Sequence, residues 1–342
     1  MPEQQEQSTL GNTFEEISNR LGDNVQWEIE EYKDVHNRFG HVVDVIEDPE
    51  QLSVVLDILE VPFDDTFTRN IADAAITRSC LTNLTEEQRA RISPYLEGII
   101  PLDDTGLEAM KDCYFIFFGN NHPARVTPPE IIQEEQQAIR SIIKEPIKNP
   151  DSQRSNSTPT YQLQTLTSDS NKGLIKQTAQ LLTTLEWESD DLQEVLEEPS
   201  DIVTIAVDAG QVISVAVTQY EQFDFRRNNQ DIALRQYEFA AGVTHPSMRG
   251  KGVYQQLSAY LLSQLAKKDP HVHIGIGYSN ATHTGMLRAA HKIGRSFSIP
   301  VADESGLPIR PMMQHYPTEG KYVDDVFTFM PGNEIRRRAS LE

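Results

Sequence analysis

The chain has 342 residues, 38% hydrophobic and 24% charged, with a formal net charge of −22. That length suits roughly two domains of ~100–200 residues and supplies enough apolar side chains for a sizeable core. The composition excludes collagen, a disulfide mini-protein and a fully disordered chain, and so negative a surface repels phosphate backbones, which argues against a nucleic-acid partner.

The charge is uneven: residues 1–150 carry a net −17 and the remainder −5. An acidic half of this kind is either a solvated surface that aids solubility or a docking surface for a basic partner. No apolar run approaches the ~18–20 residues that cross a bilayer, so no membrane role is expected. The opening Met1-Pro-Glu-Gln-Gln-Glu-Gln-Ser8 has no basic or apolar leader, which points away from secretion and toward the cytoplasm. Cys80 and Cys113 are too few for a disulfide framework and read as small hydrophobes in a reducing compartment.

In chain order, residues 1–12 are polar, and from about Phe14 to Ile143 the chain reads as a mixed α/β unit of unknown fold. Thr85-Glu-Glu-Gln88 has the spacing of a capping box. Cys113-Tyr-Phe-Ile-Phe-Phe118 reads as a buried strand ended by Gly119-Asn120-Asn121. Thr127-Pro-Pro-Glu130 starts a helix whose isoleucines recur to Ile143, with Pro146 as its stop. Residues 148–158 lack apolar side chains and read as a linker. They divide an acidic domain, residues 1–147, from a second domain at 159–331, with a basic tail at 332–342 in which Ser340 has the setting of a kinase acceptor. A fragment beginning near Thr158 is accordingly expected to stay soluble.

The second domain begins with a short strand through Leu163 and Leu166, then a helix marked by Leu174, Leu181, Leu182 and Leu185. Val203–Val207 and Val212–Val217 flank Asp208-Ala-Gly210, a hairpin signal. A strand from about Leu234 to Val243 leads through Thr-His-Pro-Ser-Met to Arg249-Gly-Lys-Gly252-Val-Tyr254, then to a helix with Val253, Leu257, Leu261 and Leu265 on one face. His271–Tyr278 is another strand, Met286–Ile293 a helix stopped at Gly294, and Tyr322–Phe329 a closing strand.

The segment that carries chemistry is the glycine turn. The first N–H groups of a helix have no intrahelical acceptor, and the helix dipole adds partial positive charge. Gly250 and Gly252 let backbone approach a bulky anion, so Arg249, Gly250, Lys251, Gly252, Val253 and Tyr254 suit a phosphate or pyrophosphate. The spacing is not that of a P-loop. No Gly-x-Ser-x-Gly elbow supports hydrolase chemistry. His271-Val-His273 alternates like metal ligands, but nothing completes a cluster, and no metal is expected.

Element order and turn together resemble the GNAT superfamily of acyl-CoA-dependent N-acetyltransferases over residues 159–331. Arg249, Gly252, Val243 and Pro246 fit that family's pattern; Tyr254 departs from it, standing where the family has Gly or Ala, and so does Ala290, standing where many members carry a tyrosine acid. The resemblance implies a mixed, largely antiparallel sheet flanked by helices, splayed between its fourth and fifth strands. It implies acetyl-CoA as co-substrate, with backbone of Ala241 and Val243 pairing with the pantetheine arm and the turn holding the pyrophosphate. The acceptor is then an amine, on a small molecule or a protein lysine, attacking directly in a ternary complex.

Such an amine must first lose a proton, since its ordinary pKa is about 10. Glu238 is the only carboxylate on the strand entering the turn and is the candidate base. On a regular strand it faces away from Val243, five residues on; the resemblance implies a bulge that would shift this parity. Tyr278 is the candidate acid. His245, His283 and His291 read as loop or structural residues. The departures at Tyr254 and Ala290 keep a second reading open: a non-catalytic acyl-CoA-binding or protein-interaction module.

Overall fold

The computed structural model describes residues 42–52, 73–92, 96–118, 129–146, 160–185, 187–280, 283–297, 312–314 and 323–340. The N-terminal half forms β1 (Val42–Asp44), β2 (Asp73–Thr77), α1 (Arg78–Thr82), α2 (Glu86–Ile92), β3 (Leu96–Pro101), β4 (Cys113–Phe118) and α3 (Pro129–Ile143). The C-terminal half forms β5 (Gln162–Leu166), α4 (Lys172–Leu182), α5 (Ser189–Glu197), β6 (Ile202–Asp208), β7 (Gln211–Arg227), β8 (Gln230–Thr244), α6 (Val253–Lys268), β9 (Ile274–Asn280), α7 (Thr284–Lys292), β10 (Ser296–Phe297), β11 (Met312–Gln314), β12 (Val323–Pro331) and α8 (Gly332–Ala339). None of the described helices is long and apolar enough to cross a membrane.

Local chemistry sets these boundaries. Thr85 Oγ1 accepts from the Gln88 N–H at 3.2 Å while Gln88 Oε1 accepts from the Thr85 N–H at 3.0 Å, the reciprocal capping expected at the start of α2. Two-residue turns with both φ angles positive join β6 to β7 (Ala209 47°, Gly210 81°) and β7 to β8 (Asn228 53°, Asn229 60°). That backbone twist matches the twist of the strands it connects.

The fold is mixed α/β. The larger sheet has the order β10-β12-β9-β8-β7-β6-β5, with β11 beside β12 and β1 beside the far end of β7. Pairing along this order is antiparallel except between β8 and β9, which run parallel. A smaller antiparallel sheet has the order β2-β4-β3.

On one face of the large sheet, Ile213, Ala216 and Tyr237 pack under Val253, Leu257, Leu261 and Leu265 of α6 and Ile335 of α8. The opposite face has two parts. Near β5 and β6, α4 and α5 lay Leu181, Leu182, Leu192 and Val195 on Val203, Val215, Val217, Ala241 and Val243. Further along, the small sheet packs on it: Ala75, Ile100, Phe115 and Phe117 meet Phe225, Leu234, Ile276, Phe327 and Phe329. The Phe117 and Phe327 rings stack at 4.2 Å. A further cluster joins Ile116, Ile139 and Ile142 to Leu287, Phe297 and Val326. Arg227, at the hairpin tip, bridges Glu47 and Asp112, each at 2.6 Å.

The two halves therefore share their apolar interior, where the sequence suggested separable modules. The linker expected at 148–158 lies outside the described residues. The segment read as a basic tail is helical and anchored: Ile335 is fully buried, Arg336 Nη1 donates to Val272 O at 2.8 Å, and Arg337 and Arg338 both pair with Glu334. Amphipathic spacing of one isoleucine among arginines anchors it. Ser340 caps this helix, its hydroxyl donating to Arg337 O at 2.8 Å.

Candidate active site

The parallel pairing of β8 with β9 covers only Gln236–Glu238 against Ile274–Ile276. Beyond Glu238 and Ile276 both strands continue, to Thr244 and Asn280, without pairing to each other. They form a V between the fourth and fifth strands of the C-terminal half, as the resemblance implies. The V coincides with a β-bulge. Val217 pairs with Ala241 and Gln219 with Glu238, so Phe239 and Ala240 together oppose Thr218.

The extra residue reverses side-chain parity. Glu238 lies on the face that also carries Ala241 and Val243, not the opposite face that a regular strand would give it. Tyr278 on β9 alternates with Ile276 and pairs with Phe327, both on that same face. Its ring contacts Phe327 edge-on at 6.2 Å and is 41% exposed. The candidate base and acid thus stand on the two arms of one V, facing one side.

The ladder corrects the backbone roles expected of Ala241 and Val243. The His245 N–H donates to Ile213 O at 2.9 Å, so this rung is a hydrogen-bonding position of the ladder. Antiparallel rungs alternate, which turns the backbone groups of Val243 and Ala241 toward β7 as well. Ser214 Oγ donates to Val243 O at 2.9 Å, and the side chains of Ala241 and Val243 are buried under α4 and α5. The residues whose backbone faces the open arm are Gly242 and Thr244; the Thr244 carbonyl accepts from Arg249 Nε at 3.2 Å.

A short turn, Pro246–Met248, leads from β8 to the glycines. His245 serves as its cap, its Nδ1 2.8 Å from Ser247 Oγ, a structural role. Gly250 and Gly252 both adopt left-handed φ, 75° and 77°. Gly252 caps α6 with no side-chain bond, and the first turn of α6 carries no acidic residue. A Cβ added at Gly250 would meet nothing within 4 Å, and at Gly252 nothing nearer than Gln255 Oε1 at 3.8 Å. The turn therefore leaves open space before the first N–H groups of α6, with Arg249 and Lys251 exposed beside it. The residues present fit an anionic group.

Tyr254 does not crowd that space. Its ring folds under β8, where a Cβ at Gly242 would lie 2.2 Å from its hydroxyl and 2.7 Å from Cζ. Gly242 is glycine because Tyr254 occupies that volume. Burial pushes the Tyr254 hydroxyl above its usual pKa, opposed by the charge of Arg295 and a bond to Ser258.

Arg295, which the sequence reading passed over, is only 4% exposed. Its guanidinium carbon sits 4.3 Å from the centre of the Phe239 ring, and Nη2 lies 1.9 Å from where a Cβ on Gly277 would be. Burial pulls its pKa down to about 10 despite the neighbouring Tyr254. The available signal was Gly275-x-Gly277, two missing side chains on one face of a core strand.

The remaining candidates are structural. Ala290 is buried and offers no acid. His291 Nε2 is 2.8 Å from Glu145 O, and His273 Nδ1 accepts the Arg235 N–H at 2.9 Å. No group of three metal-ligating side chains occurs among the described residues.

No family model matches the chain, and no curated protein does. Among solved structures, NAA60 of Arabidopsis thaliana in complex with acetyl-CoA is similar over 51% of this chain and 99% of its own, at 12% identity and a TM-score of 0.41. The NatC complex bound to Gag peptide and CoA gives the same coverages and identity, with a TM-score of 0.38. The ribosomal-protein-S18-alanine N-acetyltransferase of Escherichia coli is similar over 50% of this chain and 93% of its own, at 11% identity and a TM-score of 0.37.

Proposed function

We propose that the chain is an N-acyltransferase that uses acetyl-CoA and an amine acceptor, by direct attack in a ternary complex. The observation that carries this reading is the bulged V ending beside the open glycine turn. Acetyl-CoA, when bound, supplies an acyl group activated as a thioester. The N–H groups of about Gly250 to Tyr254 hold its pyrophosphate, with Arg249 and Lys251 adding positive charge. Gly242 and Thr244 offer edge backbone groups to its extended arm, as an added strand would receive them.

Glu238 accepts the proton of the amine nitrogen, directly or through water, and Tyr278 Oη supplies a proton on the other arm of the V. The acceptor amine belongs to a small molecule or a protein lysine, and the acidic residues 1–147 suit a basic partner.

Glu238→Gln keeps the shape and removes the base. The maximal rate should fall by ~10²–10⁴-fold at neutral pH, with CoA affinity nearly intact and a smaller loss at high pH. A wild-type rate across the pH range would exclude Glu238. The second reading, a non-catalytic acyl-CoA-binding or interaction module, is favoured by one observation: the buried Ala290 at the acid's usual place. CoA binding with no thiol release across a panel of amines would support it.

A further inference from the structure

The proposed function leaves one charged group unused. Arg295 follows α7, and its guanidinium reaches the first residues beyond the last β8–β9 rung: Phe239 on one arm, Gly277 on the other. It lies on the α6 side of the sheet, opposite Glu238 and Tyr278, where Phe239 packs with the α6 cluster. Nε is buried with no hydrogen-bond partner. No carboxylate pairs with the side chain among the described residues; its charged or titratable neighbour is the Tyr254 hydroxyl from α6. A cation taken out of water without a counter-ion costs several kcal/mol, so a fold that keeps one at the floor of a cleft is poised for an anion.

We propose that Arg295 is the counter-charge for the sulfur of the donor, in its thiolate form, at the floor of the V. This rests on the acyl-transfer reading. In that transfer the amine nitrogen bonds to the acyl carbon and the carbon–sulfur bond breaks. Sulfur keeps the electron pair, and the amine proton passes to Glu238 and on to water. The guanidinium keeps its own protons and stabilises the sulfur charge through space, in a setting of low polarity that strengthens the attraction. That supplies, from beneath the sheet, what Ala290 cannot. The thiolate regains a proton from Tyr278 or water on leaving.

The test uses the full chain, Arg295→Met and Arg295→Lys. Ultraviolet titration of bound CoA reads the thiol directly. In the wild-type complex its pKa should lie at least ~1 unit below the ordinary thiol value of about 8.5. Arg295→Met should return it to that value, and Arg295→Lys should keep part of the shift. Without ligand, Arg295→Met should melt no lower than wild type, because it removes an unpaired buried charge; a lower melting temperature would make the residue a structural strut and overturn the proposal. Desulfo-CoA, which lacks the sulfur, should bind wild type and Arg295→Met alike. A tenfold weaker binding to the variant would place the charge on the pyrophosphate instead and overturn the sulfur assignment. An unshifted thiol in wild type overturns this proposal alone, whereas CoA failing to bind wild type overturns the acyl-transfer reading with it.

Discussion

The two arms of β8 differ in what surrounds them. Gln230–Glu238 is paired with β7 along its length and reaches β9 at its end, and its apolar side chains lie between the small sheet and α6. Ala241–Thr244 is paired with β7 alone and leaves its other edge open. One inserted residue, at Phe239–Ala240, separates them. It turns Glu238 onto the face of Ala241 and Val243, and it coincides with the point where β9 diverges. A single irregularity thus re-aims a carboxylate and frees a row of backbone groups, which a continuous ladder could do neither of.

The largest effect should come from removing the cover of the first arm. A chain lacking residues 1–158 would expose Phe225, Leu234, Ile276, Phe327 and Phe329. At ~1.5–3 kcal/mol per large apolar side chain, that loss rivals the ~5–15 kcal/mol stability of a typical domain. The fragment should aggregate or lose its cooperative thermal transition in calorimetry. A soluble, cooperatively melting fragment would show that the first arm needs no cover and that the halves are modules after all.

A smaller effect tests the second arm. Gly242→Ala drives a methyl into the Tyr254 ring, and overpacking of this kind costs typically ~1–3 kcal/mol. Adding Tyr254→Ala should recover most of the increment attributable to Gly242→Ala, giving a favourable coupling in a double-mutant cycle. Additive losses would mean that the two residues do not share that volume.

The smallest effect sits where β7 outruns β6. Asp201 Oδ1 accepts the Tyr220 N–H at 2.7 Å, and burial raises its pKa to about 6. The folded pKa lies above the unfolded value of about 3.9, so the fold favours the neutral acid. Stability from this group is greatest below about pH 4 and is lost as pH rises through 6. Asp201→Asn keeps the acceptor without the charge. It should be more stable than wild type at pH 7, by about 1 kcal/mol after allowance for solvent screening, and match it near pH 4. A difference that ignores pH would remove the assignment.

Much of this was legible from residues. Threonine and glutamine three apart announced the α2 cap, six apolar residues announced β4, and Asp208-Ala-Gly210 announced the first hairpin. The second hairpin was missed: Phe223 and Phe225 alternate and Asn228-Asn229 supplies the turn, but the intervening polar residues hide a strand that is half covered by a distant sheet. At the site, the glycine turn before α6 was readable because turn geometry is local, and Glu238 stood out as the only carboxylate between Leu234 and Val243; its role as base is a proposal. The bulge was not, because nothing in Glu-Phe-Ala-Ala-Gly distinguishes it from regular strand; its position follows from pairing with β7. For the same reason Ala241 and Val243 were expected to present their backbone groups at the open edge, where alternation instead places Gly242 and Thr244. Arg295 was missed because its place in the V arises only once α7 has returned the chain to the sheet.

In the proposed reading the glycine turn at the end of the second arm receives the phosphates of CoA, and calorimetric titration of CoA into Gly252→Asp and Gly252→Asn measures that contact. The two substitutions have the same shape, and both residue types tolerate left-handed φ better than most, so their difference isolates one negative charge at φ 77° before α6. Wild type should bind, Gly252→Asn should bind within a few-fold of it, and Gly252→Asp should bind at least ~10-fold more weakly than Gly252→Asn, a loss of about 1.4 kcal/mol or more. Equal affinity of the two folded variants for CoA would contradict the account.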